Sequence, residues 1–130
     1  MSEITWEELK ELIREVEQQQ TERKRLRKHP YALDLIRVLW PYGERGYWRG
    51  DTIDKVWRLR SDARVTTPSS FEHTVQASYN YYCSASDVFA ARKADLAEAL
   101  FYPVGRKGSG RWAVDRMRAV SWLKRKKLEL

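Results

Sequence analysis

The sequence predicts a mainly α-helical protein with one small β-hairpin, an α+β class, and three observations carry that prediction. Apolar residues recur at helical spacing through most of the chain, and Pro and Gly punctuate it between those runs. One stretch breaks the pattern: Phe101-Tyr-Pro-Val-Gly-Arg-Lys-Gly-Ser-Gly-Arg-Trp-Ala-Val114 sets two short aromatic and β-branched runs around a glycine-rich turn. Such residues favour a pleated, half-buried surface, and the turn supplies the conformational freedom a hairpin loop needs. With 130 residues, 42% of them apolar, the chain is the size of one domain with one core.

Residues 2–28 are expected to form one long helix. Ser2 is a suitable cap, Glu3, Glu7 and Glu8 lie near the positive end of the dipole, and Arg23-Lys-Arg-Leu-Arg-Lys28 lies near the negative end. Trp6, Leu9, Leu12, Ile13 and Val16 form its apolar stripe, which fades at Gln18-Gln-Gln20. Pro30 suits the first turn of a second helix whose Leu33, Leu35, Ile36, Val38, Leu39 and Trp40 make it apolar nearly all round, with Pro41 and Gly43 as its stop. Gly46-Tyr-Trp-Arg49 reads as a short strand. Asp51 then caps a third helix with Ile53, Val56, Trp57 and Arg60 on one face.

A fourth helix is expected over 68–83, started by Thr66 or Thr67 before Pro68. Phe71, Val75, Ser78 and Tyr82 share one face; the other carries Ser69, His73, Gln76, Ala77 and Asn80, small or hydrogen-bonding residues where a solvent-facing helix usually has Glu and Lys. The segment 84–98 reads either as a short helix through Ala97 capped at Ser86-Asp87 or as an insertion. After the hairpin, Asp115 caps a last helix with Ala119, Val120 and Leu123 inward and Lys124-Arg-Lys-Lys127 at its end. The expected organisation is therefore an N-terminal amphipathic helix (1–29), a domain (30–114) and a basic C-terminal helix (115–130).

The formal net charge of +7 is unevenly placed. Acids and bases balance through residue 98, whereas residues 99–130 carry nine bases against Asp115 and Glu129. A localised basic surplus raises the concentration of polyanions nearby and speeds encounter with them. Cys83 is the only cysteine, so no intrachain disulfide is possible and a reducing, cytoplasmic setting is expected; no long apolar run suggests a membrane segment. Chemistry is poorly supported. Cys83, His29 and His73 lack metal-ligand spacing, the Gly105-Arg-Lys-Gly-Ser-Gly turn lacks the spacing and following helix of a phosphate-binding loop, and no Ser or Cys sits in a nucleophile motif. The expectation is a non-enzyme without a cofactor.

Helix, short strand, helix, polar-faced helix and two-stranded hairpin is the order of winged helix-turn-helix domains. Thr67-Pro68, Val75 within a polar helix, Phe101 and the Gly-Arg-Lys-Gly-Ser-Gly-Arg-Trp-Ala-Val ending resemble the HARE-HTH type over about residues 30–114. That resemblance implies double-stranded DNA as partner, and a role in transcription regulation or in reading DNA modification. Carried onto this chain, helix 68–83 enters the major groove and the hairpin acts as the wing. Ser69, Ser70, His73, Gln76 and Asn80 become the candidates nearest the bases. Arg106, Lys107, Ser109 and Arg111 are wing contacts, and Arg58, Arg60, Arg64, Thr66 and Thr67 contact phosphates. A homodimer through the N-terminal helix is a second expected partnership, its alternative being that the stripe packs on its own domain. The competing function is a protein-interaction module that uses the same scaffold and its Trp and Tyr surface within a larger assembly.

Overall fold

A reciprocal capping box opens the first helix. Glu8 N–H donates to Thr5 Oγ1 at 3.1 Å and Thr5 N–H donates to Glu8 Oε1 at 3.0 Å, which satisfies two otherwise orphaned donors. The Thr5 N–H also holds the Glu8 carboxyl below its usual range. The structure, a computed structural model, describes residues 4–22, 31–60 and 69–128. Helix α1 spans Trp6–Glu22. Thr5 therefore takes the capping role expected of Ser2, which lies outside the described residues together with the basic run 23–28.

The apolar stripe of α1 is covered inside the chain. Leu9, Ile13 and Val16 are fully buried and Leu12 nearly so. They pack chiefly against the last helix, α6 (Arg116–Leu128), and also against α2 (Ala32–Leu39). Ion pairs from Lys127 to Glu15 and from Arg37 to Glu17 flank these contacts. One hydrophobic cluster runs from Leu9 to Leu123. The stripe thus packs on its own chain, the alternative that the sequence offered beside a homodimer.

Every residue of α2 except Arg37 is buried, as its all-round apolar pattern predicts. The α-helix ends at Leu39, just ahead of Pro41 and Gly43 as expected. The chain tightens into a 3-10 helix over Trp40–Arg45 and breaks inside it at Gly43. Gly46 follows at φ 68°, where an added Cβ would stand 2.5 Å from the Trp112 carbonyl oxygen. Strand β1 (Tyr47–Trp48) leads straight into α3 (Arg49–Arg60), so Asp51 lies in the first turn rather than at the cap. The Thr52 hydroxyl donates to the Trp48 carbonyl at 2.8 Å.

Asp34 is the buried charge of the interior, 2% exposed. Its Oδ2 accepts from Arg60 Nε at 2.9 Å and Nη2 at 2.6 Å, and Arg37 Nη1 stands 3.5 Å from Oδ1. Burial pushes the Asp34 carboxyl up, and the Arg60 and Arg37 guanidiniums pull it part of the way back. The group ties the end of α3 to α2.

Helix α4 spans Ser69–Tyr81 and buries Phe71, Val75, Ser78 and Tyr79. The segment 84–98 is folded. Ser86 caps α5 (Asp87–Ala91) by accepting from Phe89 N–H. That helix stops well short of the expected Ala97, beyond which a 3-10 turn covers Leu96–Glu98. Arg92 fastens the segment to α4: its Nε donates to the Tyr81 carbonyl at 3.0 Å and its guanidinium lies 3.7 Å from the Tyr81 ring centre.

Strands β2 (Phe101–Pro103) and β3 (Arg111–Val114) form the hairpin, and β1 pairs on the far side of β3. The antiparallel order is β1-β3-β2, with Tyr47 opposite Trp112 and Phe101 opposite Val114. Tyr79 of α4 stacks on Trp112 at 3.9 Å and on Phe101 at 5.7 Å, which joins helix to sheet. Asp115 caps α6 by accepting from Arg118 N–H at 3.1 Å. Ala119 and Leu123 face inward as expected, and Trp122, fully buried, joins them. The α+β class with its small hairpin, and the element order read from the sequence, are both present.

Candidate nucleic-acid interface

The core stacking of Tyr79 on Trp112 brings the second half of α4 beside the β2–β3 turn. Between them lies a cavity of about 260 Å³, with Gln76, Tyr79 and Asn80 on the α4 side and Lys107, Gly108 and Trp112 on the hairpin side. Helix and turn therefore flank one groove. The turn is held by its own backbone: Val104 N–H donates to Arg111 O at 2.9 Å and Ser109 N–H to Arg106 O at 3.1 Å.

The sequence-derived candidates separate into four groups here. Ser69, Ser70 and His73 are exposed on α4, as are Thr74 and Ala77, so one side of that helix is open and free of Lys and Arg. Arg58 and Arg106 are exposed as well. Arg64, Thr66 and Thr67 lie outside the described residues.

Gln76 and Asn80 form a second group and are not on the open side. Gln76 Nε2 donates to Asn80 Oδ1 at 3.0 Å, and Gln76 Oε1 accepts from Arg49 Nε. Both amides turn toward the cavity. The i,i+4 spacing that places them on one helix face is real, but that face borders the hairpin. Arg49 is the residue the sequence reading missed. It stands in a segment read as strand, and no local pattern links it to Gln76.

The third group consists of cations already engaged. Arg60 is held by Asp34, which makes it a structural residue rather than an open phosphate contact. Arg111 donates from Nη2 to the Arg45 carbonyl and lies 5.3 Å from the Trp48 ring centre, so it braces the sheet edge. Lys107 meets Asp87 at 2.9 Å on the surface. An exposed pair of this kind is worth at most about 1 kcal/mol, which leaves Lys107 free to exchange partners.

Ser109 is the fourth case. Its Oγ accepts from Arg111 N–H at 3.3 Å, so it shapes the turn. Trp112 is 4% exposed and Tyr79 equally buried, which makes both walls of the fold. Burial pushes the Tyr79 phenol well above its usual range, and the neighbouring Cys83 thiol adds to the shift.

Among the described residues, no three His, Cys, Asp or Glu side chains gather to hold a metal ion. No helix among them is long and apolar enough to cross a membrane. Compared with protein families, curated proteins and solved structures, the chain finds no match.

Proposed function

We propose that this chain is a DNA-binding protein that lays the open side of α4 and the β2–β3 turn against duplex DNA. The observation that supports the reading is that α4 and the β2–β3 turn border one groove, lined by Gln76 and Asn80 from the helix and by Lys107 from the turn, while the adjoining side of α4 leaves Ser69, Ser70, His73 and Ala77 exposed. Small and hydroxyl-bearing side chains permit close approach to base edges, and the turn's cations supply sequence-independent attraction. The helix, strand and hairpin order adds the winged-helix resemblance, with the HARE-HTH type and a role in transcription regulation or modification reading as its narrower form. In this reading α4 sits in the major groove and the turn tracks the backbone.

Duplex binding measured across a salt series tests it. Neutralising three phosphates with Arg58, Arg106 and Lys107 gives a log–log slope of roughly −3. His73→Ala is expected to weaken a preferred site selectively, and Arg106→Ala to weaken all duplexes alike. No binding at low salt, or a slope near zero, rules the reading out.

A protein partner is the second reading, and one observation favours it. Trp48 is 54% exposed on the edge strand β1, with the Arg111 guanidinium against it. Exposed Trp and Arg together are the residues most often found at the energetic centre of protein interfaces.

A further inference from the structure

We propose that the cavity between α4 and the hairpin is a binding site for a small aromatic carboxylate, one that shares Lys107 with the proposed DNA surface and can be tested without DNA. Its hydrogen-bonding character follows from one residue that can only donate. Arg49 Nε donates to Gln76, so the Gln76 amide must present its oxygen there and its nitrogen to Asn80. Asn80 in turn must offer Oδ1 to Gln76, which leaves both Nδ2 hydrogens of Asn80 to the cavity. The chain Arg49–Gln76–Asn80 is thereby polarised from end to end.

What these side chains chiefly retain for a ligand is donors. Arg49, Gln76, Asn80 and Lys107 line one cavity, and the Arg49 Nη groups, the second Gln76 amide hydrogen, the Asn80 Nδ2 hydrogens and the Lys107 ammonium are the donors they bring to it. Gln76 Oε1 already accepts from Arg49, Asn80 Oδ1 from Gln76, and Ser86 Oγ from the Phe89 N–H while donating to the Asn80 carbonyl; the Tyr79 hydroxyl is buried without a hydrogen-bond partner among the described residues. Two cations stand there against the single carboxylate of Asp87, which already neutralises Lys107 at the rim. The rest of the lining is apolar, with Tyr79, Trp112 and Pro103 among it.

An apolar floor with a wall of donors and a net positive charge selects a flat apolar body carrying an acceptor-only anionic group. A carboxylate meets that need, because guanidinium and amide N–H groups bond it without leaving any of its own donors unpaired. A neutral nucleobase edge gains less, since it carries no charge to meet the cations and Gln76 Oε1 and Asn80 Oδ1 each already hold one hydrogen bond. At about 260 Å³ the cavity lies just below the usual range for ligand pockets, so one or two fused rings fill it.

Titration of the full chain by NMR, without DNA, tests the site. The probes are indole-3-carboxylate, benzoate, the neutral indole-3-carboxamide, and cytidine. Saturable shifts of the Asn80 side-chain amide and the Arg49 Nε–H are expected with the carboxylates, with indole-3-carboxamide weaker by about tenfold or more. Arg49→Met should weaken indole-3-carboxylate by about tenfold. Asn80→Asp, nearly isosteric, should weaken it at least as much, because it sets a carboxylate against a carboxylate. Arg106→Ala, on the exposed turn, should leave it unchanged. The assignment is overturned if no carboxylate saturates at millimolar concentration, if the carboxamide binds equally, if cytidine binds better, or if Asn80→Asp binds undiminished. Since DNA is absent throughout, either outcome leaves the salt-dependence test of duplex binding standing by itself.

Discussion

Removing Arg60 should turn Asp34 into an uncompensated buried carboxylate. In Arg60→Met the methionine keeps the alkyl stem and deletes the two bonds to Oδ2, leaving Asp34 with only Arg37 Nη1 at 3.5 Å. Breaking a buried pair from one side costs about 3–5 kcal/mol. The Arg60 side chain is 45% exposed and Arg37 remains, which places the expected loss at the lower end, about 3 kcal/mol at pH 7.5. The sign of the pH dependence follows from the raised folded-state value of Asp34. A carboxyl raised above its unfolded value contributes stability that is full below the unfolded value, about 3.9, and lost as pH climbs through the folded one. Loss of Arg60 raises the folded value further, so the gap between variant and parent should narrow as pH falls from 7.5 to about 4.5. Asp34→Asn added to Arg60→Met should restore part of the stability at neutral pH, because no charge is then buried. Urea denaturation at both pH values, read as midpoint with unchanged slope, measures this. A loss under about 1 kcal/mol, or a gap indifferent to pH, refutes the assignment of Asp34 as a desolvated, Arg60-dependent charge.

Gly46→Ala forces a Cβ into the Trp112 carbonyl and should cost about 3 kcal/mol or more, whereas Gly105→Ala, at φ 82° with open space around it, should cost about 1 kcal/mol in the same denaturation assay. Trp122→Ala empties a fully buried site and should lose about 3–5 kcal/mol. Sedimentation equilibrium should find the full chain monomeric at high micromolar concentration, while a chain starting at residue 29 should lose its cooperative thermal transition because the α1 stripe no longer covers α6 and α2. The Cys83 thiol, 3% exposed, should react with a thiol reagent only as fast as the protein opens.

The element order was legible because each signal for it is local. The apolar round of α2, the polar side of α4, the Ser86 and Asp115 caps and the glycine-rich turn all act within a few residues of themselves. Caps misread by position show the limit of that logic: Ser2 and Thr5 are equally suitable by type, and only the reciprocal partner Glu8 selects Thr5. Asp51 fell inside α3 for the same reason, since β1 turns into the helix without a loop. What was not legible spans long separations. The Asp34–Arg60 pair joins residues 26 apart and the Arg49–Gln76 bond residues 27 apart. Each gives an internal partner to a residue that the resemblance offered to DNA, Arg60 to a phosphate and Gln76 to a base edge. Periodicity says which residues share a side of a helix, and only the packing of β1 and the hairpin decides what that side meets.

The enclosure of α1 by α6 also sets a schedule for synthesis. The cover for the α1 stripe includes α6, whose Ala119, Trp122 and Leu123 join the same buried cluster and are made when nearly the whole described chain has been translated. At ~5–20 residues per second, the stripe waits on the order of five to twenty seconds after leaving the ribosome before that cover exists. During that interval Leu9, Ile13 and Val16 present an uncovered apolar row to the cell. A holding chaperone would therefore find a long-lived target in α1, and α6 would be the helix that dismisses it.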